Sequence, residues 1–257
     1  MANKTREISK NTQRDSQILA ILEENGNCSI HELCEKLYLS EATMRRALST
    51  LARKGLINRT HGGAELVKTY NRASPFNNRV MLNAAAKRDI AHKAADMVPD
   101  GSIVSLDQSS TCYHLAEALM KKKDLTVVTN NLAIAMLLSQ TSFRVHVSGG
   151  MMHRGNRLCL AGEDAHGIFE EICVDFAFFS TFSLSSDGIV SDVSRDAINI
   201  RNAMLKYAKR KVFLCDSSKF NSTAGYIQCT LRDLDMLISE ENTSSVFADR
   251  FPELKLL

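Results

Sequence analysis

Apolar positions in the first quarter of the chain recur at helical spacing. Ile18, Leu19, Ile21 and Leu22 form one stripe, which predicts a helix over residues 11–24, closed near Gly26. Residues 1–10 are polar and read as a frayed end. Ile30, Leu33, Cys34 and Leu37 mark a second helix, opened by Ser29 with Glu32 at the capping-box offset. Tyr38 and Leu39 make a turn. Ser40 then caps a third helix whose apolar face is Met44, Leu48 and Leu51, and Gly55 ends it. Two short β-like runs, 56–59 and 64–67, flank the turn His61-Gly62-Gly63. Three short helices followed by a hairpin predict a winged helix-turn-helix.

The pattern then changes. Residues 68–86 are polar, with Pro75, Asn77 and Asn78, and read as a connection passing into a helix over 84–97. Apolar runs at 102–106, 125–129, 143–148, 174–179, 212–214 and 236–238 predict buried strands. Helical patterns at 113–122, 163–172 and 196–210, and an apolar helix after Asn130, lie between them. Strand alternating with helix predicts a mostly parallel α/β sheet. The expected division is a helix-turn-helix domain over 1–69, a linker over 70–86 and an α/β domain over 87–257.

Composition narrows the class. A chain of 257 residues, 44% hydrophobic and 24% charged, suffices for two globular domains. Its apolar runs are too short to span a bilayer, and no apolar segment follows the charged N-terminus as in a signal peptide. The expectation is a cytoplasmic protein with no membrane partner. The seven cysteines are odd in number, scattered and without a Cys-x-x-Cys pair. They predict buried thiols, with no disulfide framework, metal site or cofactor. Charge is uneven: residues 1–69 hold 11 Lys+Arg against 8 Asp+Glu, and the remainder holds 21 of each. The whole excess of +3 therefore lies on the helix-turn-helix side.

That asymmetry gives meaning to the third helix. Thr43, Arg45, Arg46 and Ser49 fall off its apolar stripe, and a basic hairpin follows. A helix of this kind suits the major groove while the hairpin tracks the backbone. In the second half, polar residues gather where strands end. Asp107, Ser109, Ser110 and Thr111 lie between a strand and a helix, where backbone N–H groups and hydroxyls meet an anion. Asn130 ends the next strand, and Gly149 and Gly150 end the one after, where missing side chains allow close backbone approach. Arg154 or Arg157 can pair with a phosphate, and Lys219 closes a later strand as a point charge.

The run Ser40-x-x-Thr43-Met44-Arg45-Arg46-x-Leu48, followed by Gly55-Leu56-Ile57-x-Arg59-x-His61-Gly62-Gly63-Ala64, resembles the DeoR family of bacterial regulators of sugar metabolism. The second half is similar to that family's C-terminal domain at Leu106-Asp107, Ser110-Thr111, Val128-Thr129-Asn130, Gly149-Gly150 with Arg154, Gly162 and Asp216 to Phe220. The resemblance implies a fold similar to ribose 5-phosphate isomerase that binds phosphorylated sugars or related metabolites. Segments around Asp107–Cys112, Asp196–Asn199 and Ser218–Asn221 look most like its L-fucose operon activator subgroup. Four positions depart from the pattern: Ala47 for Asp, Ser109 for Gly, Cys112 for Thr and Arg201 for Lys. A Gly-rich segment is also replaced by Ser180–Ser183.

Two functions fit. One is a transcription regulator, a dimer or tetramer that grips an operator through Ser40, Thr43, Arg45, Arg46, Arg59 and His61 and answers to a phosphorylated sugar. The other is a sugar-phosphate isomerase with an accessory DNA-binding head, using an aspartate such as Asp107 as base. Arg201 weighs against the enzyme, because a guanidinium does not release a proton.

Overall fold

The computed structural model describes residues 2–66, 76–241 and 243–257. The chain divides into two compact units, Met1–Ala85 and Ala86–Leu257.

The first unit opens with α1 (Ala2–Asn25), which takes in the polar residues expected to fray. No Gly or Pro interrupts that stretch. Once the Ile18–Leu22 face is packed, each added residue gains a hydrogen bond without a new nucleus. Gly26, at φ +74, ends the helix. β1 (Asn27–Ser29) leads into α2 (Ile30–Leu37), where Ser29 and Glu32 form the reciprocal capping box. Tyr38 closes α2 in the left-handed region, φ 52 and ψ 44, a conformation that costs an L-residue roughly 1–2 kcal/mol. Then come α3 (Glu41–Arg53), β2 (Ile57–Thr60) and β3 (Gly63–Leu66), with β3 lying between β1 and β2. A Cβ at Gly63 would stand 2.3 Å from the Cys28 carbonyl oxygen, so β1 and β3 can pair this closely only at a glycine. Ile18, Leu19, Leu22, Leu33, Met44, Leu48 and Leu51 are the fully buried centre of this unit.

α4 (Phe76–Met81) falls inside the stretch expected to be a linker; residues 67–75 lie outside the described residues. Phe76 is buried, Asn78 donates to the Lys54 carbonyl, and the Asn83 N–H donates to Glu23 at 2.6 Å. These contacts are remote in sequence, so the local polar pattern gave no sign of a helix.

The second unit contains, in order, α5 (Ala84–Asp96), β4 (Ile103–Leu106), α6 (Ser110–Leu119), β5 (Thr126–Thr129), α7 (Leu132–Leu138) and β6 (Arg144–Val147). There follow the hairpin β7 (Met151–Met152) and β8 (Leu160–Ala161), then α8 (Gly167–Glu171), β9 (Phe176–Phe179), β10 (Ser183–Leu184) and β11 (Ile189–Asp192). α9 (Arg195–Lys206), β12 (Lys211–Leu214), β13 (Tyr226–Thr230), β14 (Met236–Ile238) and β15 (Lys255–Leu256) complete it. Seven strands form one sheet in the order β15-β14-β12-β9-β4-β5-β6, parallel at every pair. Val104, Leu106, Phe178, Val212 and Leu214 pack with α5 and α6 on one face, while Ala177, Phe179 and Phe213 pack with α8 and α9 on the other. This covering of both faces is why the strands read as continuous apolar runs.

Three details correct the sequence reading. The helix expected over 163–172 is a 3-10 turn, Glu163–Ala165, followed by the short α8. β10, β11 and β13 form a separate antiparallel sheet whose short, mixed-polarity strands carry no clear period. Cys28, Cys112, Cys159 and Cys215 are buried as expected, but Cys173 is exposed on the loop before β9. Among the described residues, no helix is long and apolar enough to cross a membrane.

β4, β5 and β6 run outward from the centre of the large sheet in one direction; β9, β12, β14 and β15 continue in the other. The order reverses between β4 and β9. A crevice opens at such a reversal, beyond the carboxyl ends of the strands.

Candidate functional site

In the first unit, α3 presents two unlike faces. Met44, Ala47, Leu48 and Leu51 are fully buried, while Glu41, Ala42, Arg45 and Arg46 are exposed. The Ser40 hydroxyl accepts the Thr43 N–H at 3.4 Å and lies 2.9 Å from the Thr43 hydroxyl, which fixes the start of the helix. Arg45 pairs with Glu41 at 3.1 Å across one turn, both exposed. Arg46 makes no ion pair among the described residues, so its five donors face solvent. Arg59, on β2, donates to the Ser49 hydroxyl at 2.9 Å and so ties the hairpin to α3. His61 is exposed in the hairpin turn. All six residues singled out from the sequence thus belong to α3, its cap or the hairpin. Ala47 is fully buried, so the departure from Asp falls on the core side of α3 and leaves its outer face unchanged.

In the second unit, a buried polar network lies beyond the carboxyl ends of β4 and β9. Asp107 follows β4. One of its carboxylate oxygens accepts the Ser109 N–H at 2.9 Å; the other accepts Arg201 Nε at 2.9 Å and the Ser180 N–H, after β9, at 3.4 Å. Arg201, on α9, also donates through Nη2 to Asp192 at 2.8 Å. Burial works against the Arg201 charge, but Asp192 and Asp107 outweigh it and its pKa lies above the ordinary guanidinium value. Lys219 Nζ donates to the Ser180 hydroxyl at 2.8 Å and stands 3.2 Å from Asp216. Arg201 and Lys219 are therefore each held by buried carboxylates.

Beside this network, the Ser109 hydroxyl caps α6 by accepting the Cys112 N–H at 3.0 Å. Ser110, Thr111 and Asn130 are buried. Asn130 donates through Nδ2 to the Leu160 carbonyl at 2.9 Å and to Gln108 at 3.3 Å. Its Oδ1, and the Thr111 hydroxyl, are buried with no hydrogen-bond partner among the described residues. Such orphaned groups lose their hydration on folding and regain a partner only from something that enters.

The remaining predicted residues lie elsewhere. Gly149 and Gly150 pack against the chain's own backbone: Cβ atoms there would stand 3.0 Å from the Asp164 carbonyl and 2.5 Å from the Ala161 carbonyl. Arg154 is exposed between β7 and β8, and Arg157, also exposed, approaches the Met152 sulfur at 3.7 Å. Asp192 and Gln228, whose Oε1 lies 3.5 Å from Arg201 Nη1, were missed by sequence reasoning, while Ser180 and Arg201 entered it as departures from the family pattern. A signal existed for their hub: Arg201 falls between Ile200, Met204 and Leu205 on the buried face of α9. Cys112 and Cys215 are pushed up by burial, and Cys229 is pushed up to about 12, so these thiols stay protonated at neutral pH. Among the described residues, no group of three or more His, Cys, Asp and Glu is arranged to hold a metal ion.

Comparison with known proteins accounts for both units. Residues 14–70 match the DeoR-like helix-turn-helix domain, and residues 82–241 match the DeoR C-terminal sensor domain. The L-fucose operon activator of Haemophilus influenzae is 33% identical over 92% of this chain and 91% of its own length. The glycerol-3-phosphate regulon repressor of Escherichia coli is 31% identical over 84% of this chain and 85% of its own. Among solved structures, ribose 5-phosphate isomerase A from Methanocaldococcus jannaschii is 17% identical over 54% of this chain and 55% of that one, with a TM-score of 0.41. That is a partial likeness of fold and says nothing of chemistry. With a helix-turn-helix and a sensor domain in the family's order, the chain belongs to the DeoR family of transcriptional regulators.

Proposed function

We propose that this chain binds an operator through residues 1–69 and is controlled by a phosphorylated sugar held in residues 87–257, with 70–86 connecting the two functions. α3 enters the major groove. Arg46 and Arg45 contact bases or phosphates, Ser40 and Thr43 contact phosphates, and Arg59 and His61 hold the backbone through the hairpin. A homodimer or tetramer presents two such heads to repeated half-sites.

The observation that carries the DNA half is the two-faced α3, with fully buried Met44, Leu48 and Leu51 behind an unpaired Arg46. The effector half rests on the orphaned Thr111 hydroxyl, after β4, and Asn130 Oδ1, after the neighbouring β5. An acceptor without a donor suits a ligand rich in hydroxyls. The N–H groups at the start of α6, beside Ser110, suit its phosphate. Two relatives, named for L-fucose and for glycerol 3-phosphate, support a small phosphorylated polyol.

The isomerase reading finds less support. Asp107 would be the base, yet both its oxygens are engaged by Ser109, Ser180 and Arg201. A base needs a free lone pair aimed at substrate.

The test uses the full chain and a duplex enriched from a random pool. Replacing Arg45 and Arg46 together by Ala removes contacts worth about 1–3 kcal/mol each. Binding should fall by roughly a hundredfold or more, with the melting temperature and oligomeric state unchanged. A double variant that still protects the duplex from nuclease refutes the assignment of α3.

A further inference from the structure

Tyr38 stands out among the residues that the fold holds in the left-handed region. Five described non-glycine residues have positive φ: Tyr38, Asn83, Asp124, Asn221 and Glu241. Asn and Asp tolerate that region because their short side chains bond locally to the backbone. Tyr38 is the only aromatic residue of the five. A glycine or asparagine would close α2 with less strain, since the motif asks only for the backbone bond from Tyr38 N–H to the Cys34 carbonyl. The ring does not offset that strain by packing. Tyr38 is 94% exposed, more than any other large apolar side chain described. The backbone strain lowers stability and the unburied ring returns nothing to the folded chain, so the residue's contribution lies outside it.

Its position says where. Tyr38 lies in the turn between α2 and α3, two residues before the Ser40 cap and eight before the unpaired Arg46. In a helix-turn-helix the first helix crosses the sugar–phosphate backbone and the second enters the groove, so the turn lies against the backbone. A tyrosine suits that surface: the ring covers deoxyribose and the hydroxyl donates to a phosphate oxygen.

We infer that Tyr38 is a DNA-backbone contact, its ring packed on a deoxyribose and its phenol donating to a phosphate. This rests on the DNA-binding reading of α3.

The experiment compares wild type, Tyr38→Phe and Tyr38→Gly as full chains. Two probes are used, a duplex enriched by the wild-type chain from a random pool and an unselected duplex of the same length. Affinity is read by fluorescence anisotropy across a salt series, stability by thermal melting, and assembly by sedimentation. Tyr38→Gly should melt higher than wild type yet bind about tenfold more weakly, and Tyr38→Phe should lose about three- to fivefold. Both duplexes should lose the same factor, because a backbone contact carries no sequence information. The slope of log affinity against log salt should stay the same, because no cation is removed. Equal affinity of Tyr38→Gly and wild type for both probes overturns the inference and leaves the α3 reading intact. So does a change of oligomeric state that accounts for the loss, which would make Tyr38 a contact between copies. A wild-type chain that enriches no duplex overturns both. Full affinity in Tyr38→Phe with loss in Tyr38→Gly keeps the ring contact and overturns the phosphate bond.

Discussion

Arg201 joins two of the second unit's buried carboxylates. Its planar fork reaches Asp107 and Asp192 at once, which a point-charge ammonium does less well. Removing one member of a buried ionic group leaves the others uncompensated, at a cost of about 3–5 kcal/mol. Arg201→Met should therefore destabilise the chain by that amount in urea unfolding. A triple variant that also carries Asp107→Asn and Asp192→Asn should recover most of the loss, because no charge then remains without a partner. If Arg201→Met alone unfolds like wild type, the network is not structural. The arginine was legible as a departure from a pattern. Of its partners, Asp107 was legible at a strand end, but Asp192 and Gln228 were not, since they lie on short strands with no period of their own.

Among the elements, the amino ends of the central strands are tied as well as the carboxyl ends, through a more exposed contact. Asp175, just before β9, accepts the Ile103 N–H of β4 at 2.8 Å and the Lys209 ammonium at 2.9 Å. The backbone N–H, then Lys209, hold its carboxyl below the ordinary carboxylate value. A depressed folded pKa gives stability that is present above the unfolded value of about 3.9 and is lost as pH falls through the folded value. Asp175→Asn should thus lower the melting temperature at neutral pH, with the difference from wild type shrinking as pH falls below about 4. A difference that persists unchanged in acid assigns the effect to geometry and not to charge. The strands joined here were visible as apolar runs, because burial on both faces demands them. α4 was not visible, since Asn78 draws its order from the distant Lys54 carbonyl and Phe76 from burial.

For the molecule as a whole, control requires that the ligand prefer one DNA-binding state over another, and the coupling is reciprocal. Replacing Ser110 and Thr111 together by Ala removes a pair of hydroxyls from the crevice and leaves α3 untouched. This variant should bind the selected duplex like wild type while losing its response to a panel of phosphorylated sugars. The same sugars should raise the wild-type melting temperature by mass action and leave the variant's unchanged. A double variant that still answers the sugar moves the effector site elsewhere in the second unit.

Local chemistry settled the parts of this protein that need only near neighbours. The Ser29–Glu32 box, the Ser40 cap, the apolar stripe of α3 and the double-sided strands follow from spacing, because caps and periodic faces are fixed within a few residues. Packing settled what depends on residues far apart. Strand order brought Asp107, Ser180, Asp192 and Arg201 together, although up to 94 positions separate them. No pattern along the chain records which strand lies beside which, and that adjacency is what gathers these residues beyond β4 and β9.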